Sequence, residues 1–351
     1  MSPKCIAPWV HLFHHTDGHI YPCCRFAGDK EQALGTIAEP LEHTWHGAPA
    51  RALRARFRQG IYPTTCSECF DTPVDFHRNF NQWRDFVNME LTTEEGDYPF
   101  NYRVWSITPS NLCNQKCVYC RGDYSNLIVD QFGDGKVQAC FSSDQEFQAY
   151  FDRHIELIDT FVFAGGESLL QESFIKLIVK LIDSNLTDKR IYLATNLSRL
   201  KYGNYHIGEM LSHFSRATIA GSVDGYDLVN KIIRKGAQWQ TIVNNRKELL
   251  NYPSVHFGVQ TVITNLNALS LPAFHYQWYD EGLLGIDNIK YILLTSPREY
   301  SIRNLSRTDK QTLRERWRQY CVFLKAGTDT LFNHEPCYRK IQRLLEYAER
   351  E

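Results

Sequence analysis

At the centre of the chain stands the stretch Ile107-Thr108-Pro109-Ser110-Asn111-Leu112-Cys113-Asn114-Gln115-Lys116-Cys117-Val118-Tyr119-Cys120. Its three cysteines follow a strand candidate at spacings of four and three residues, so that their thiolates can turn toward one centre. Soft sulfur ligands suit iron–sulfur clusters or zinc, but a structural zinc site uses four ligands. Three cysteines without an obvious fourth favour a four-iron cluster that leaves one iron open for a substrate.

Around this loop, from about residue 102 onward, strand candidates alternate with amphipathic helical segments. The strand candidates are Tyr102–Thr108, Thr160–Ala164, Arg190–Thr195, Ala217–Val223, Val255–Thr264 and Asn288–Leu294. Such alternation predicts a parallel sheet. Six units are too few for a closed eight-stranded barrel, so the sequence predicts an open, partial barrel.

The segments on either side of this region differ from it. Before it, Trp9–Phe13, the turn at 16–18 and His19–Tyr21 predict a hairpin, and Arg51–Arg58 predicts a helix. After it, residues 305–351 are predicted to be helical. We therefore expect four parts: a small domain over 1–75, a linker over 76–100, the partial barrel over 101–304 and a helical segment over 305–351.

Composition narrows the possible partners and the compartment. A formal net charge of −1 gives no electrostatic reason to expect nucleic acid or an anionic membrane as partner. No apolar run is long enough to span a bilayer, and the first ten residues lack the apolar region of a secretory signal, so a cytoplasmic location is expected. Eleven cysteines, an odd number, then favour metal ligation or redox chemistry over disulfides.

The Cys-x3-Cys-x2-Cys spacing, with Tyr119 before the last cysteine, resembles the signature of the radical S-adenosylmethionine (SAM) superfamily. The resemblance implies a partial (β/α)6 TIM-like barrel of the radical SAM type. It also implies that Cys113, Cys117 and Cys120 hold a catalytic four-iron cluster whose open iron binds SAM.

Further motifs fall at strand ends, where ligands of such barrels bind. Gly165-Gly166-Glu167 resembles the family's Gly-Gly-Glu motif, which receives the SAM amino group, and Ser222-Val223-Asp224-Gly225 with Arg234 resembles its Ser-x-Asp-Gly…Arg arrangement, which holds the SAM carboxylate. An arginine forks well onto a carboxylate, although Arg234 could instead be a solvated charge at a helix end. The residues that the resemblance assigns to SAM are Tyr119, Gly165, Gly166, Glu167, Thr195, Asn196, Ser222, Asp224, Arg234 and Leu294.

A second cysteine set lies near the amino terminus. Cys5, Cys23, Cys66 and Cys69, with Gly18 between the first two, resemble the twitch domain, the half-length relative of the auxiliary-cluster (SPASM) domain. Four cysteines would close the coordination shell of a second four-iron cluster, although a zinc site with the same thiolates stays open. Cys24 is ambiguous as a ligand, and the spacing from Gly18 favours Cys23. In most relatives this domain follows the barrel, whereas here it precedes it.

The resemblance implies that SAM is cleaved reductively to a 5′-deoxyadenosyl radical that abstracts hydrogen from a substrate. Net oxidation of a small molecule or peptide is the expected outcome, with an external one-electron reductant such as flavodoxin or ferredoxin. Two alternatives stay open. One is a peptide or sugar epimerase with Cys140, Cys321 or Cys337 as hydrogen donor, and the other is a non-catalytic zinc or iron–sulfur scaffold.

Overall fold

A computed structural model of the protein describes residues 3–71, 80, 83–325 and 337–349. Within them, nine strands share one sheet and the other strands form two-stranded ladders. In chain order the strands are β1 (His11–His14), β2 (His19–Tyr21), β3 (Gly35–Thr36), β4 (Val104–Ile107), β5 (Lys116–Cys117), β6 (Val129–Asp130), β7 (Gly133–Asp134), β8 (Thr160–Phe163), β9 (Arg190–Thr195), β10 (Lys201–Tyr202), β11 (Tyr205–His206), β12 (Arg216–Ser222), β13 (Arg234–Lys235), β14 (His256–Ile263) and β15 (Ile289–Leu293).

Helices connect these strands and cover the sheet. They are α1 (Ala7–Val10), α2 (Leu41–His46), α3 (Ala48–Arg58), α4 (Ser67–Asp71), α5 (Asp144–Asp152), α6 (Glu172–Asp183), α7 (Ile207–Ser212), α8 (Leu228–Ile233), α9 (Trp239–Leu249), α10 (Leu271–Asp280), α11 (Arg307–Leu324) and α12 (Cys337–Ala348). No helix within the described part of the chain has both the length and the apolar character needed to cross a membrane.

The six predicted strands form the main part of the sheet, in the order β15-β14-β12-β9-β8-β4, and every neighbouring pair is parallel. Each predicted boundary agrees with the observed one to within two residues. On one face of the sheet, the Tyr192 hydroxyl of β9 donates to Oε1 of Gln260 on β14 at 3.0 Å, across the intervening strand β12, which indicates that the sheet curves toward this face. The predicted α/β fold with an open partial barrel is confirmed.

Aromatic packing shows which face of the sheet the helices cover. Trp105 on β4 stacks on Phe151 of α5 with ring centroids 5.4 Å apart, and Tyr291 on β15 contacts Trp317 of α11. Strand residues alternate between the two faces. Tyr192, Gln260 and Lys290, which share the opposite face, therefore point into the barrel.

The amino-terminal hairpin continues the same sheet instead of forming a separate layer. β1 pairs antiparallel with β2 and in parallel with β4, so that Phe13 lies opposite Ser106. The predicted hairpin is therefore present, but Trp9 and Val10 belong to α1 and not to its first strand. Pro8 explains the difference, because proline is favoured in the first turn of a helix.

The described parts of the carboxyl-terminal segment, 305–325 and 337–349, form two helices, in agreement with the prediction. The face of α11 expected to be apolar is buried, with Leu313, Trp317, Cys321 and Leu324 at most 8% exposed. α12 packs against α11 and β15. Part of the predicted linker, 76–79 and 81–82, lies outside the described residues, and the division of the chain into four parts stays a prediction.

Candidate functional site

The three-cysteine loop follows β4, at the carboxyl end of the parallel sheet. Cys117 lies on β5, a short strand that pairs antiparallel with β13 and places Cys117 opposite Arg234. Asn126 fixes the start of the loop, because its Oδ1 accepts the Cys113 backbone N–H at 3.0 Å. Burial raises the pKa of Cys113 to about 11 and that of Cys120 to about 12. These thiols therefore need the positive charge of a metal centre to ionise at neutral pH.

The two glycines after β8 allow the chain to pass very close to this loop. Both have positive φ, 89° at Gly165 and 59° at Gly166. A Cβ at Gly166 would lie 2.5 Å from the Ser110 carbonyl oxygen, and one at Gly165 would lie 2.6 Å from Thr108. The backbone of the cysteine loop thus packs against Gly166 and the Thr108 side chain against Gly165, and the assignment of both glycines to SAM stays a prediction.

Glu167, directly after these glycines, is 1% exposed and its carboxylate accepts three hydrogen bonds. Its Oε1 accepts from the Thr195 hydroxyl at 2.8 Å and from the Leu169 N–H at 3.2 Å, and its Oε2 accepts from the Asn196 N–H at 2.7 Å. Burial raises the pKa of Glu167, and these hydrogen bonds act in the opposite direction. The Glu167 side chain thus connects the ends of β8 and β9. A carboxylate has about four acceptor sites, so Glu167 can still accept one further hydrogen bond.

Asp224 and Arg234 form a buried ion pair beside the cysteine loop. Arg234 Nε lies 2.7 Å from Asp224 Oδ2, and Tyr119 donates its hydroxyl to the same oxygen at 2.5 Å. Asp224 Oδ1 accepts the Val262 N–H at 2.7 Å, so both carboxylate oxygens are engaged. Arg234 Nη1 lies 3.7 Å from Cys117 Sγ. Arg234 is 7% exposed, which rules out the solvated helix-end charge considered above.

The remaining residues assigned to SAM lie at the same ends of the strands. Thr195 ends β9 and Asn196 follows it, with Asn196 Nδ2 donating to Asn114 in the cysteine loop at 2.8 Å. Ser222 is the last residue of β12, and Leu294 follows β15 and is 8% exposed. Nine of the ten residues assigned to SAM therefore lie on the cysteine loop or at the carboxyl ends of the strands, and the tenth, Arg234, begins β13 and pairs with the cysteine loop.

A cavity lies among the amino-terminal residues of the chain. All four cysteines of the amino-terminal set line it, and so do apolar side chains that include Phe26, Phe57 and Phe80. This donor set fits an iron–sulfur cluster, which is held by four thiolates. Within the described residues, no three His, Cys, Asp or Glu side chains converge closely enough for a single metal ion. A four-iron cluster, in contrast, binds each thiolate through a different iron atom.

The other cysteines lie outside both sets. Cys24 does not line the four-cysteine cavity, and burial raises the pKa of its thiol to about 11, partly offset by the charges of Arg25 and of Lys290 on β15. Cys140 is buried next to the hairpin turn, and Cys321 is buried on α11, on the helix-covered side of the sheet. Cys337 begins α12, and its side chain lies outside what the structure describes.

One polar cluster was not anticipated from the sequence. His15, in the hairpin turn, lies between Asp17 (Nδ1 to Oδ1, 3.0 Å) and Asp123 (Nε2 to Oδ2, 3.2 Å), and Arg121 also contacts Asp123. Burial alone would lower the pKa of His15, but the two carboxylates outweigh burial and raise it. The cluster joins the hairpin to the segment after Cys120. No local spacing predicts it, because His15 and Asp123 are 108 residues apart.

Known proteins match this arrangement. The radical SAM superfamily model matches residues 107–266, and the model of the iron–sulfur cluster-binding SPASM domain matches residues 5–70. Among solved structures, anSMEcpe with bound AdoMet is 19% identical at a TM-score of 0.47, covering 64% of this chain and 60% of that one. SuiB from Streptococcus suis, bound to precursor peptide SuiA, is 14% identical at a TM-score of 0.46, covering 64% of this chain and 47% of that one.

This chain therefore spans about 60% or less of the length of these two structures. A comparison with curated proteins found no match. The two family models together include both cysteine sets and the Gly-Gly-Glu and Ser-x-Asp-Gly segments. The chain belongs to the radical SAM superfamily, with a four-iron cluster and SAM as the cofactors of its barrel and a further iron–sulfur cluster in its amino-terminal region.

Proposed function

We propose that this radical SAM enzyme oxidises a C–H or X–H group of a small molecule or peptide. The observation that carries the proposal is a pair of cysteine sites in segments that follow strands of one sheet, β4 for the three-cysteine loop and β2 for Cys23 of the amino-terminal set. One is the three-cysteine loop next to Arg234, and the other is a cavity enclosed by four cysteines. The first suits radical generation, and the second suits acceptance of an electron, because four thiolates leave no iron open for a substrate.

Cys113, Cys117 and Cys120 would hold the four-iron cluster of the barrel. With SAM bound, a cluster at this site would supply the reductive cleavage of SAM that leads to removal of a hydrogen atom from the substrate. The chain contributes the orientation of SAM and the exclusion of water. The curved inner face, with Tyr192, Gln260 and Lys290 along it, is where we place the substrate.

Arg234 is the residue that we assign to the SAM carboxylate. Its Nε forms an ion pair with Asp224 Oδ2, and its Nη1 faces Cys117 Sγ. The planar guanidinium is thus fixed in orientation beside the cluster ligands, with donor capacity left for a carboxylate. Asp224 acts as a positioning residue, since both its oxygens are occupied by the protein.

We expect Arg234→Lys to weaken SAM binding by at least about tenfold without loss of iron. Lysine keeps a cation opposite the buried Asp224 but loses the fork of donors, and a charge-assisted hydrogen bond contributes about 1.5–3 kcal/mol. Equilibrium titration of SAM with the anaerobic holoprotein measures this directly. Arg216→Lys is the matched control, because Arg216 begins β12 at the opposite end of the sheet. The dissociation constant of SAM from this control variant should equal that from the wild type. An unchanged constant for Arg234→Lys would assign the SAM carboxylate to another residue.

The amino-terminal site would accept the second electron of the oxidation. Its four thiols are enclosed by aromatic side chains, and Cys5, Cys66 and Cys69 are each 8% exposed, so that water has little access. A site closed to ligands and water favours electron transfer over substrate binding. The substrate radical would then lose one electron to this site and one proton to the surroundings.

The reaction class is tested by isotope transfer. With substrate deuterated at the target carbon, we expect deuterium in 5′-deoxyadenosine and a product that lacks two hydrogens, both measured by mass spectrometry. In solvent D2O, the product should gain no carbon-bound deuterium. A product of unchanged formula that carries solvent deuterium would instead identify an epimerase, with Cys140, Cys321 and Cys337 as the candidate hydrogen donors.

A further inference from the structure

The radical cluster can receive an electron only if a reduced carrier comes close to it. One exposed surface of the chain lies directly next to a ligand of this cluster. β5 and β13 form a two-residue ladder in which Cys117 lies opposite Arg234 and Lys116 lies opposite Lys235. Since neighbouring strand residues face opposite sides, the two lysines point outward directly behind the cluster ligand and its arginine. Both lysines are exposed.

Two like charges in directly opposed positions are unfavourable in an antiparallel pair. Neither Lys116 nor Lys235 makes an ion pair within the described residues, so the chain itself does not offset this repulsion. The neighbouring Lys231 is different, because its Nζ lies 2.7 Å from Asp227 Oδ1. An arrangement that costs stability and has no internal partner indicates a role in contact with an acidic partner.

A third cation extends this surface. Asn114, next to Cys113, donates from Nδ2 to Ser198 Oγ at 2.9 Å, which brings the segment with exposed Arg199 against the cysteine loop. The three segments that meet here, 107–122, 196–206 and 225–247, contain one acidic residue, and that residue is the Asp227 already paired with Lys231. These three segments therefore carry an excess of basic residues, although Asp123 and Asp224 adjoin them and the whole chain has a net charge of −1.

Apolar side chains flank the cations. Leu228 and Ile232 lie one turn apart on α8, directly before β13, and are 65% and 49% exposed. Charges that steer a partner, next to a small apolar contact area, are the usual composition of a transient protein interface.

We propose that Lys116, Arg199 and Lys235, with Leu228 and Ile232, form the docking surface for a small acidic one-electron carrier protein of the flavodoxin or ferredoxin class. This inference rests on the proposed function, which requires the electron. In the step itself, the carrier is oxidised by one electron and the cluster held by Cys113, Cys117 and Cys120 is reduced by one. No covalent bond forms or breaks. Since Lys116 is adjacent to a ligand, the carrier's redox group would stop within a short distance of the cluster.

The test compares SAM cleavage driven by reduced flavodoxin with cleavage driven by small reductants. We expect the charge-reversed variant Lys116→Glu/Lys235→Glu to lose about tenfold or more of the flavodoxin-driven rate at low salt, together with most of its salt dependence. Its rates with dithionite, an anion, and with reduced methyl viologen, a cation, should stay close to those of the wild type. The opposite charges of these two reductants separate docking from a general effect of the field on small molecules.

Two further measurements make the result specific. Titration of oxidised flavodoxin should show tighter binding to the wild type than to the variant, independently of turnover, and Lys116→Gln/Lys235→Gln should give an intermediate loss. The control variant Lys189→Glu/Lys310→Glu carries the same charge change near the start of β9 and in α11, outside the three segments of the docking surface, and should behave like the wild type. Equal flavodoxin-driven rates and equal salt dependence in both charge-reversed variants would overturn the docking surface. No SAM cleavage by the wild type with any reductant would instead overturn the proposed function, and with it the need for a carrier.

Discussion

The variant Cys113→Ala/Cys117→Ala/Cys120→Ala is expected to retain about four of about eight irons per chain and to cleave no SAM. Two four-iron clusters account for the total, and the three thiolates of the loop are the protein ligands that we assign to one of them. The amino-terminal site should persist, because its cysteines lie in a separate cavity lined by different elements. Iron analysis measures the loss of about four irons, and the remaining absorbance near 400 nm reports on the amino-terminal cluster. Formation of 5′-deoxyadenosine under reducing conditions measures SAM cleavage.

The matched control for this variant removes cysteines that belong to neither set. Cys140→Ala/Cys321→Ala should keep all the iron and SAM cleavage, since both residues are buried, neither lines the four-cysteine cavity and neither belongs to the three-cysteine loop. Stoichiometric zinc in protein prepared anaerobically with excess iron would contradict the two-cluster assignment and would favour the scaffold hypothesis. Retention of about eight irons in the triple variant would show that the loop does not hold a cluster.

Much of the barrel could be predicted because buried parallel strands have a clear sequence pattern. Arg190–Thr195 was predicted with the observed bounds, and the other five strands to within two residues. In an α/β sheet of this kind, the strand ends meet at one edge, so motifs that end different strands come together. For that reason, the positions of Glu167 and Asp224 next to the cysteine loop followed from the sequence as soon as the strands were correct.

The sequence did not predict the pairings between segments that lie far apart in the chain. The ladder between β5 and β13 has two residues on each side, too few for any periodicity, and its strands are separated by more than a hundred residues. The ion pair of Asp224 with Arg234 is closer in sequence, yet the motif alone assigned both residues to SAM. In the structure, Asp224 serves Arg234, Tyr119 and Val262, because a buried carboxylate must have partners.

The place of the hairpin is the second feature that sequence patterns could not supply. A short antiparallel hairpin is recognisable from its turn, but the parallel pairing of β1 with β4 joins segments about ninety residues apart. Alternating or apolar patterns report that a strand is buried, not which strand lies next to it. The sequence therefore predicted the hairpin but not its pairing with β4, by which it extends the sheet of the barrel.

This continuity leads to the prediction that residues 101–351, produced alone, will not fold to a soluble protein. β1 covers the edge of β4: the Arg103 N–H donates to the Val10 carbonyl at 2.8 Å and the Thr108 N–H to the His14 carbonyl at 3.0 Å. Trp105 also donates its ring N–H to His14 Nδ1 at 2.6 Å. Removing β1 leaves this edge and its buried indole without partners, and an open, apolar strand edge promotes aggregation.

A nicked chain separates the loss of contacts from the loss of covalent linkage. A protease site placed between Glu94 and Glu95, both exposed, should give two fragments that co-elute in size-exclusion chromatography and retain both clusters, because the pairing of β1 with β4 is not covalent. The fragment 101–351 expressed alone should instead be insoluble or contain little iron. If that fragment is monomeric, holds about four irons and cleaves SAM, the barrel folds independently, and the hairpin is an added domain after all.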